Sequence, residues 1–374
     1  MSPGPVVVVG GGPAGMAAAR AAAGAGAGVV LADSGPLLGG QYHRQNTLHP
    51  GARLALPEGV EHVPEAEVWA LEHLPDDDGG GHRVHLRCGP ADGPGRHGRT
   101  VDTPALVLAT GAYDRVLPFP GWDLPGVCTA GAGQALAKGQ GVPVGRRVVV
   151  AGTGPFLLPV AASLAQVGAR VAGVWEANAV PGGWLADLGG VWAGRGKAGE
   201  LARHAALLAR RRIPCRQRST VIAAHGRDRV EAVTVARLDH DWNLLPGTRR
   251  RIEADAVCVG YGFTPQLELA LSAGCATSGG FVTVDAAQAT SVPGVFAAGE
   301  VTGIGGALLA AKEGTVAGTA AARAAGGTVR APVRAMRGCG RGAGSPRRWS
   351  GPIRYGRAGG AGWMRTRWCA AARK

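Results

Sequence analysis

The chain has 374 residues, 64 of them Gly, and a formal net charge of +14. That length supports two domains with sizeable cores, and no apolar run reaches the ~18 residues of a membrane span. A charge this high first suggests nucleic acid, but ten Arg and one Lys lie in residues 331–374 without a single acid, and the remaining 29 basic and 26 acidic residues leave only +3. The body therefore gives no charge argument for a nucleic-acid partner.

In chain order, Met1 leads straight into a buried-strand pattern, which predicts no signal peptide. The seven Cys are scattered with no CxxC pair and no zinc spacing, so no metal site is expected and a reducing cytoplasm is. Val6 to Val9 form a β-branched run, as in a parallel strand buried on both faces. Gly10, Gly12 and Gly15 then match GxGxxG. The first glycine allows the turn, the second lets backbone approach a pyrophosphate, and the third seats the helix on the strand. Pro13 and Ala14 open that helix, whose free N–H groups favour phosphate. A second strand, Val29 to Ala32, ends at Asp33, 18 residues after Gly15, near the spacing for a carboxylate on a ribose.

GPAGMAAA, the acid at the strand end and GGQYHR (Gly39 to Arg44) resemble the flavin half of the two-dinucleotide-fold flavoproteins, which include thioredoxin reductases and pyridine-nucleotide disulfide reductases. The resemblance implies FAD, with Gly40 and Gln41 beside the flavin. The usual "DE" at the strand end is Asp33-Ser34 here, so if the relatives' ribose ligand is the second letter, Ser34 takes its place and Asp33 must stand in for it. Residues 63 to 105 read as a strand meander, with His82 and His85 on opposite faces as surface histidines. LVLATG (Leu106 to Gly111) matches the second flavin signature of the family, closing Thr110 and Gly111 over the cofactor. GVFAAGEVTGIGGALLAAKEG (Gly294 to Gly314) matches the last, with Gly299 and with Glu300 where relatives usually carry Asp.

Residues 146 to 176 repeat the opening pattern, a second Rossmann-type unit. It has Gly152 and Gly154, Leu157 at the third glycine position, and Glu176 at the end of its second strand. A terminal acid favours NAD over NADP. Leu157 would hold the helix away from the strand. Two readings stay open: a site for NAD(P) or another adenine nucleotide, and a vestigial unit. Cys128 stands where thioredoxin reductases carry CxxC, without a second cysteine near it in sequence, and reads as a buried spectator.

The stretch from Leu106 to Pro159 closely resembles the alpha-type subunits of heteromeric amino-acid dehydrogenases: the octopine/nopaline oxidase A subunit, the hydrogen cyanide synthase B subunit, and the hydroxyproline/proline dehydrogenase alpha subunits. That resemblance implies an FAD-dependent oxidoreductase that accepts electrons from a flavoprotein beta subunit of amino-acid oxidase type, where the substrate is oxidised. The alternative is a stand-alone NAD(P)H-dependent FAD reductase without a redox-active disulfide. Many relatives end in a [2Fe–2S] domain opening with CxC. Another frame through this chain's tail permits CRCEE, so residues after about Val333 are expected to be a frameshifted remnant of such a domain, with a genuine disordered basic tail as the alternative. The expected architecture is α/β with two Rossmann-type dinucleotide-binding domains: a discontinuous FAD domain (1–119 plus 252–330), an inserted NAD(P)-type domain (120–251), and a basic tail (331–374).

Overall fold

The computed structural model describes residues 4–46, 54–75, 80–179 and 195–326. The tail expected to be out of frame, 331–374, lies outside the described residues.

In chain order the elements are β1 (Val6–Val9), α1 (Pro13–Gly24), β2 (Val29–Ala32), β3 (Val60–Val63), β4 (Ala66–Leu74), β5 (Gly81–Cys88), β6 (His97–Thr103), β7 (Leu106–Leu108) and β8 (Ala112–Asp114). There follow β9 (Val127–Thr129), α2 (Ala130–Gln140), β10 (Arg147–Gly152), α3 (Leu157–Gln166), β11 (Arg170–Glu176), α4 (Arg195–Arg210), β12 (Cys215–Gln217), β13 (Ser219–His225), β14 (Ala232–Arg237), β15 (Arg250–Glu253) and β16 (Ala256–Gly260). The last are β17 (Phe263–Pro265), α5 (Glu268–Ser272), β18 (Thr277–Ser278), β19 (Phe281–Val282), β20 (Val295–Ala297) and α6 (Ala307–Ala324). No described helix is long and apolar enough to cross a membrane.

The chain divides into two compact units, with crossings at residues 113/114 and 264/265. The first holds a five-stranded parallel sheet in the order β20-β7-β1-β2-β3. The Val6–Val9 run sits at its centre. Val6 and Val8 pack with Ala18, Ala317 and Ala321 of the helices, while Val7 and Val9 pack with Val84, Leu86 and Val101 of the antiparallel β4-β5-β6 meander. Both faces are covered, which is why the strand shows no polar alternation. On the helix side α1 and α6 touch backbone to backbone. A Cβ on Gly314 would lie 2.0 Å from the Ala14 carbonyl oxygen, and one on Gly318 would lie 2.1 Å from that of Ala18.

The second unit repeats this plan. Its five-stranded parallel sheet runs β12-β11-β10-β16-β9. Val148 and Val150 face the side that buries Leu157, Leu164 and Leu208, and Val149 and Ala151 face the side that buries Val221, Val233 and Val235. The expected boundaries need correction here. β16, placed by sequence in the flavin domain, lies in the second unit, because it is hydrogen-bonded between β10 and β9 in that sheet, and β15, which the expected boundary at 251/252 cuts, lies there whole. Residues 114–119 lie there too, with Phe119 buried among Val221, Val230 and Val233.

Candidate functional site

The first glycine loop is shaped by its own backbone. Gly10 has φ +106°, and a Cβ there would sit 2.3 Å from the Ala109 carbonyl oxygen. α1 starts at once: Gly12 is its N-cap, Pro13 its first residue, and Met16 N–H donates to the Gly12 carbonyl at 2.9 Å. Its first turn carries no acid, which leaves the positive helix end for an anion. Gly12 differs from its neighbours. A Cβ built on it meets no protein atom closer than the Gly40 Cα at 4.0 Å. Protein packing does not demand a glycine there, whereas the close approach of a pyrophosphate does. The residues thus fit a dinucleotide.

The GGQ loop crosses over this turn. Gly39 N–H donates to the Gly11 carbonyl at 2.8 Å, and Gly40 lies against Gly12 with no room for a Cβ. Asp33, at the end of β2, accepts from Gly11 N–H and, at 2.7 Å, from Gly35 N–H. Each carboxylate oxygen keeps a lone pair for a ribose hydroxyl. Ser34 and Gln41 are exposed, and Gln41 Oε1 accepts from Arg44 Nε at 3.2 Å. Burial draws the Arg44 guanidinium below its ordinary pKa, and Asp33 opposes that shift. Two neighbours of Asp33 carry no sequence signal of their own. One is Arg44. The other is His62 on β3, whose buried Nε2 has no hydrogen-bond partner among the described residues. Burial lowers its pKa against the pull of Asp33.

The other two signatures meet this loop through the sheet. Thr110 Oγ1 donates to the Gln266 carbonyl at 2.9 Å, and Gln266 N–H to the Gly111 carbonyl at 3.0 Å, so the loop after β7 is tied to the returning chain. Gly299 follows β20 with φ +83°, and a Cβ on it would press the Ala14 Cβ at 2.9 Å. Its N–H donates to Glu313 Oε2 at 2.9 Å, while Thr302 Oγ1 donates to the Gly299 carbonyl at 2.8 Å and lies 3.3 Å from the same Glu313 oxygen. Burial raises the Glu313 carboxyl. Glu313, a lone acid on the inner side of α6, braces this loop. Glu300 is half-buried beside it.

In the second unit, Gly152 has φ +145°, and Thr153 N–H donates to the Gly260 carbonyl at 2.8 Å. Gly154 leaves open space around a Cβ, as Gly12 does. The helix differs, however. α3 begins at Leu157, five residues after Gly152, whereas α1 begins three after Gly10. The intervening turn closes with Leu157 N–H to the Gly154 carbonyl at 3.3 Å and Leu158 N–H to that of Pro155 at 3.2 Å. Leu157 is buried, and it lines a cavity of about 380 Å³ with Leu158, Val174, Leu208, Glu176 and Gln217. Glu176 accepts from Gly154 N–H at 2.8 Å and Asn178 N–H at 2.9 Å.

Burial outweighs those two amides and pushes the Glu176 carboxyl up to about 7 from its ordinary 4.5. The folded chain thus holds this proton more tightly than the unfolded chain. The contribution to stability is full below the ordinary value and is lost as pH rises through about 7. A shift of that size corresponds to ~3 kcal/mol, and a glutamine would forfeit ~1 kcal/mol by facing one N–H with its own NH₂. Glu176→Gln is expected to be less stable than wild type near pH 5 and more stable near pH 8. Urea midpoints across that range check it, and parallel pH curves would refute it.

Two sequence readings change. His82 is buried, 4 % exposed, and donates from Nε2 to the Pro293 carbonyl at 3.0 Å, while His85 is half-buried and pairs with Glu72 at 2.9 Å. His82 is therefore a core residue, made so by the meander packing over the sheet. Cys128 has a sulfur neighbour after all: Cys258, its register partner on β16.

The family profile for pyridine nucleotide-disulphide oxidoreductases matches residues 4–326. The hydrogen cyanide synthase subunit HcnB of Pseudomonas protegens is 33% identical over 83% of this chain and 68% of its own length. The opine oxidase A subunit of Agrobacterium tumefaciens is 32% identical over 83% of this chain and 64% of its own. The chain thus spans about two thirds of each of these relatives. The thioredoxin reductase of T. acidophilum superposes with a TM-score of 0.61 at 21% identity, covering 85% of this chain and 97% of that one, which shows the shared fold. With the dinucleotide loop, the GGQ crossing and the two later signatures assembled in one unit, the chain belongs to the pyridine nucleotide-disulphide oxidoreductase family and is an FAD-dependent oxidoreductase.

Proposed function

We propose that the chain is the electron-accepting alpha-type subunit of a heteromeric amino-acid or opine-type dehydrogenase in the cytoplasm. A flavoprotein beta subunit of amino-acid oxidase type oxidises the substrate, and this chain takes up the electrons. One observation carries the reading. Two carboxylates at the flavin loops, Asp33 and Glu313, accept hydrogen bonds from the amides of those loops, which assigns both to holding the loops rather than to substrate C–H chemistry. The names of the relatives, each one subunit of an oxidase or synthase, support it.

In this reading Gly10, Gly12, Pro13, Ala14 and Gly15 receive the pyrophosphate at the start of α1, and Asp33 with Ser34 takes the ribose. Gly40, Gln41, Thr110, Gly111, Gly299 and Glu300 enclose the remainder of FAD. The bound flavin supplies electron acceptance that no side chain offers. Gly152, Gly154 and Glu176 take NAD(P) or another adenine nucleotide in the second unit.

The test compares the purified chain alone with its complex after co-expression with the beta subunit, both without oxygen. The flavin band is expected to bleach on addition of an amino acid or opine only in the complex. Bleaching of the isolated chain by NADH would favour the stand-alone reductase instead.

A further inference from the structure

The sulfurs of Cys128 and Cys258 lie 3.4 Å apart. They are 130 positions apart in sequence and come together because β9 and β16 run parallel, with Cys128 opposite Cys258 in the register. Adjacent strands are spaced ~4.7–4.9 Å, inside the ~4.4–6.8 Å that disulfide Cα pairs span. Both side chains project from the same face. The Cys258 side chain is fully buried, and helix α2 rests on it: a Cβ on Gly133 would lie 2.7 Å from its sulfur. Cys128 is half-buried, with a second contact to the Val257 carbonyl at 3.6 Å.

We propose that Cys128 and Cys258 are an oxidative modification site, at which a small peroxide converts the facing thiols to an intramolecular disulfide between β9 and β16. The two sulfurs are not equivalent. The hydrogen bond from Cys258 lowers the Cys128 thiol, against burial and the nearby Asp114 carboxylate. The same contact, burial and Asp114 hold Cys258 well above its ordinary value. Cys128, which solvent reaches while Cys258 is sealed in the core, is the attacking thiolate and Cys258 the resolving thiol.

In the first step the Cys128 thiolate attacks one peroxide oxygen. The O–O bond breaks, hydroxide leaves and takes up a proton as water, and Cys128 becomes a sulfenic acid. In the second step Cys258 sulfur attacks Cys128 sulfur, the S–O bond breaks, and the Cys258 proton departs with the hydroxyl as a second water. The peroxide gains two electrons and the thiol pair loses two. The oxidant must be small, because the Cys128 sulfur that meets it is itself half-buried. The sulfurs have to close from 3.4 Å to ~2.05 Å, which rotation of the two side chains supplies at this strand spacing.

The test uses the full-length flavin-loaded protein. It is reduced with dithiothreitol, freed of reductant, exposed to hydrogen peroxide, then alkylated and mapped by mass spectrometry, with exposed Cys215 as the internal marker of oxidant exposure. The expected result is loss of two alkylatable thiols and a linked peptide pair holding residues 128 and 258, lighter by two hydrogens, that dithiothreitol restores. Cys258→Ala and Cys258→Ser should instead leave Cys128 as a sulfenic acid trapped by dimedone. Sulfinic acid at Cys128 with Cys258 still alkylatable in the wild type would overturn the proposal. So would two unreacted thiols under conditions that oxidise Cys215.

Discussion

Gly12→Ala is expected to lower the flavin content of the purified protein about tenfold or more, while leaving the flavin-free protein as stable as before. The two halves of that outcome have separate causes. Gly12 has φ −75° and ψ −173°, extended backbone that alanine also adopts. Its Cβ would meet nothing in the protein nearer than 4.0 Å. Replacing glycine there restricts the unfolded chain by ~0.5 kcal/mol, and the poorer alanine N-cap of α1 costs about as much, so the apoprotein keeps its stability. The methyl group would occupy the space through which a pyrophosphate reaches the N–H groups of α1, and those contacts cannot form at a distance. A tenfold loss corresponds to ~1.4 kcal/mol of binding. The ratio of flavin to protein absorbance and the melting temperature of the stripped protein measure the two effects separately. Retained flavin would mean that the dinucleotide does not lie against Gly12.

Gly318→Ala is expected to have the opposite profile, a loss of ~2 kcal/mol or more in folding stability that carries flavin binding down with it. Helix propensity alone predicts a gain of ~1 kcal/mol. Packing predicts the reverse, since the new Cβ would stand 2.1 Å from the Ala18 carbonyl oxygen of α1. A backbone atom cannot rotate away as a side chain can, so the helices must part, at the ~1–3 kcal/mol of overpacking or more. Gly199→Ala on α4 is the control, because a Cβ there meets nothing within 4 Å and only the propensity gain remains. Urea unfolding of the three proteins decides between propensity and packing.

Much of this was legible in the sequence. Runs such as Val6–Val9 and Val148–Val150 announce strands covered on both faces, and the glycine spacing after each places the loops. What was not legible depends on pairing across space. A strand's hydrophobicity does not name its neighbours, so β16 read as part of the flavin domain until its hydrogen bonds to β10 and β9 placed it elsewhere. Cys128 looked solitary for the same reason. Glu313 lies 14 residues from the amide it braces, and no local pattern marks it. His62 comes to Asp33 only through the Leu31–His62 register of β2 and β3. The leucine at the third glycine position of the second loop raises the expectation of a helix held away from its strand, and the difference found there is a later start, α3 beginning two residues further on than α1 does.

The α1–α6 contact also orders events during synthesis. The flavin unit needs β20 and α6, which lie beyond every strand of the second unit in the chain. The second unit has all its own strands available as soon as residue 264 leaves the ribosome. The first must wait with α1 unpaired and one edge of its sheet open until Ala324 has emerged. Contacts this distant along the chain form late. A chain that ends before α6 therefore lacks the helix against which α1 packs.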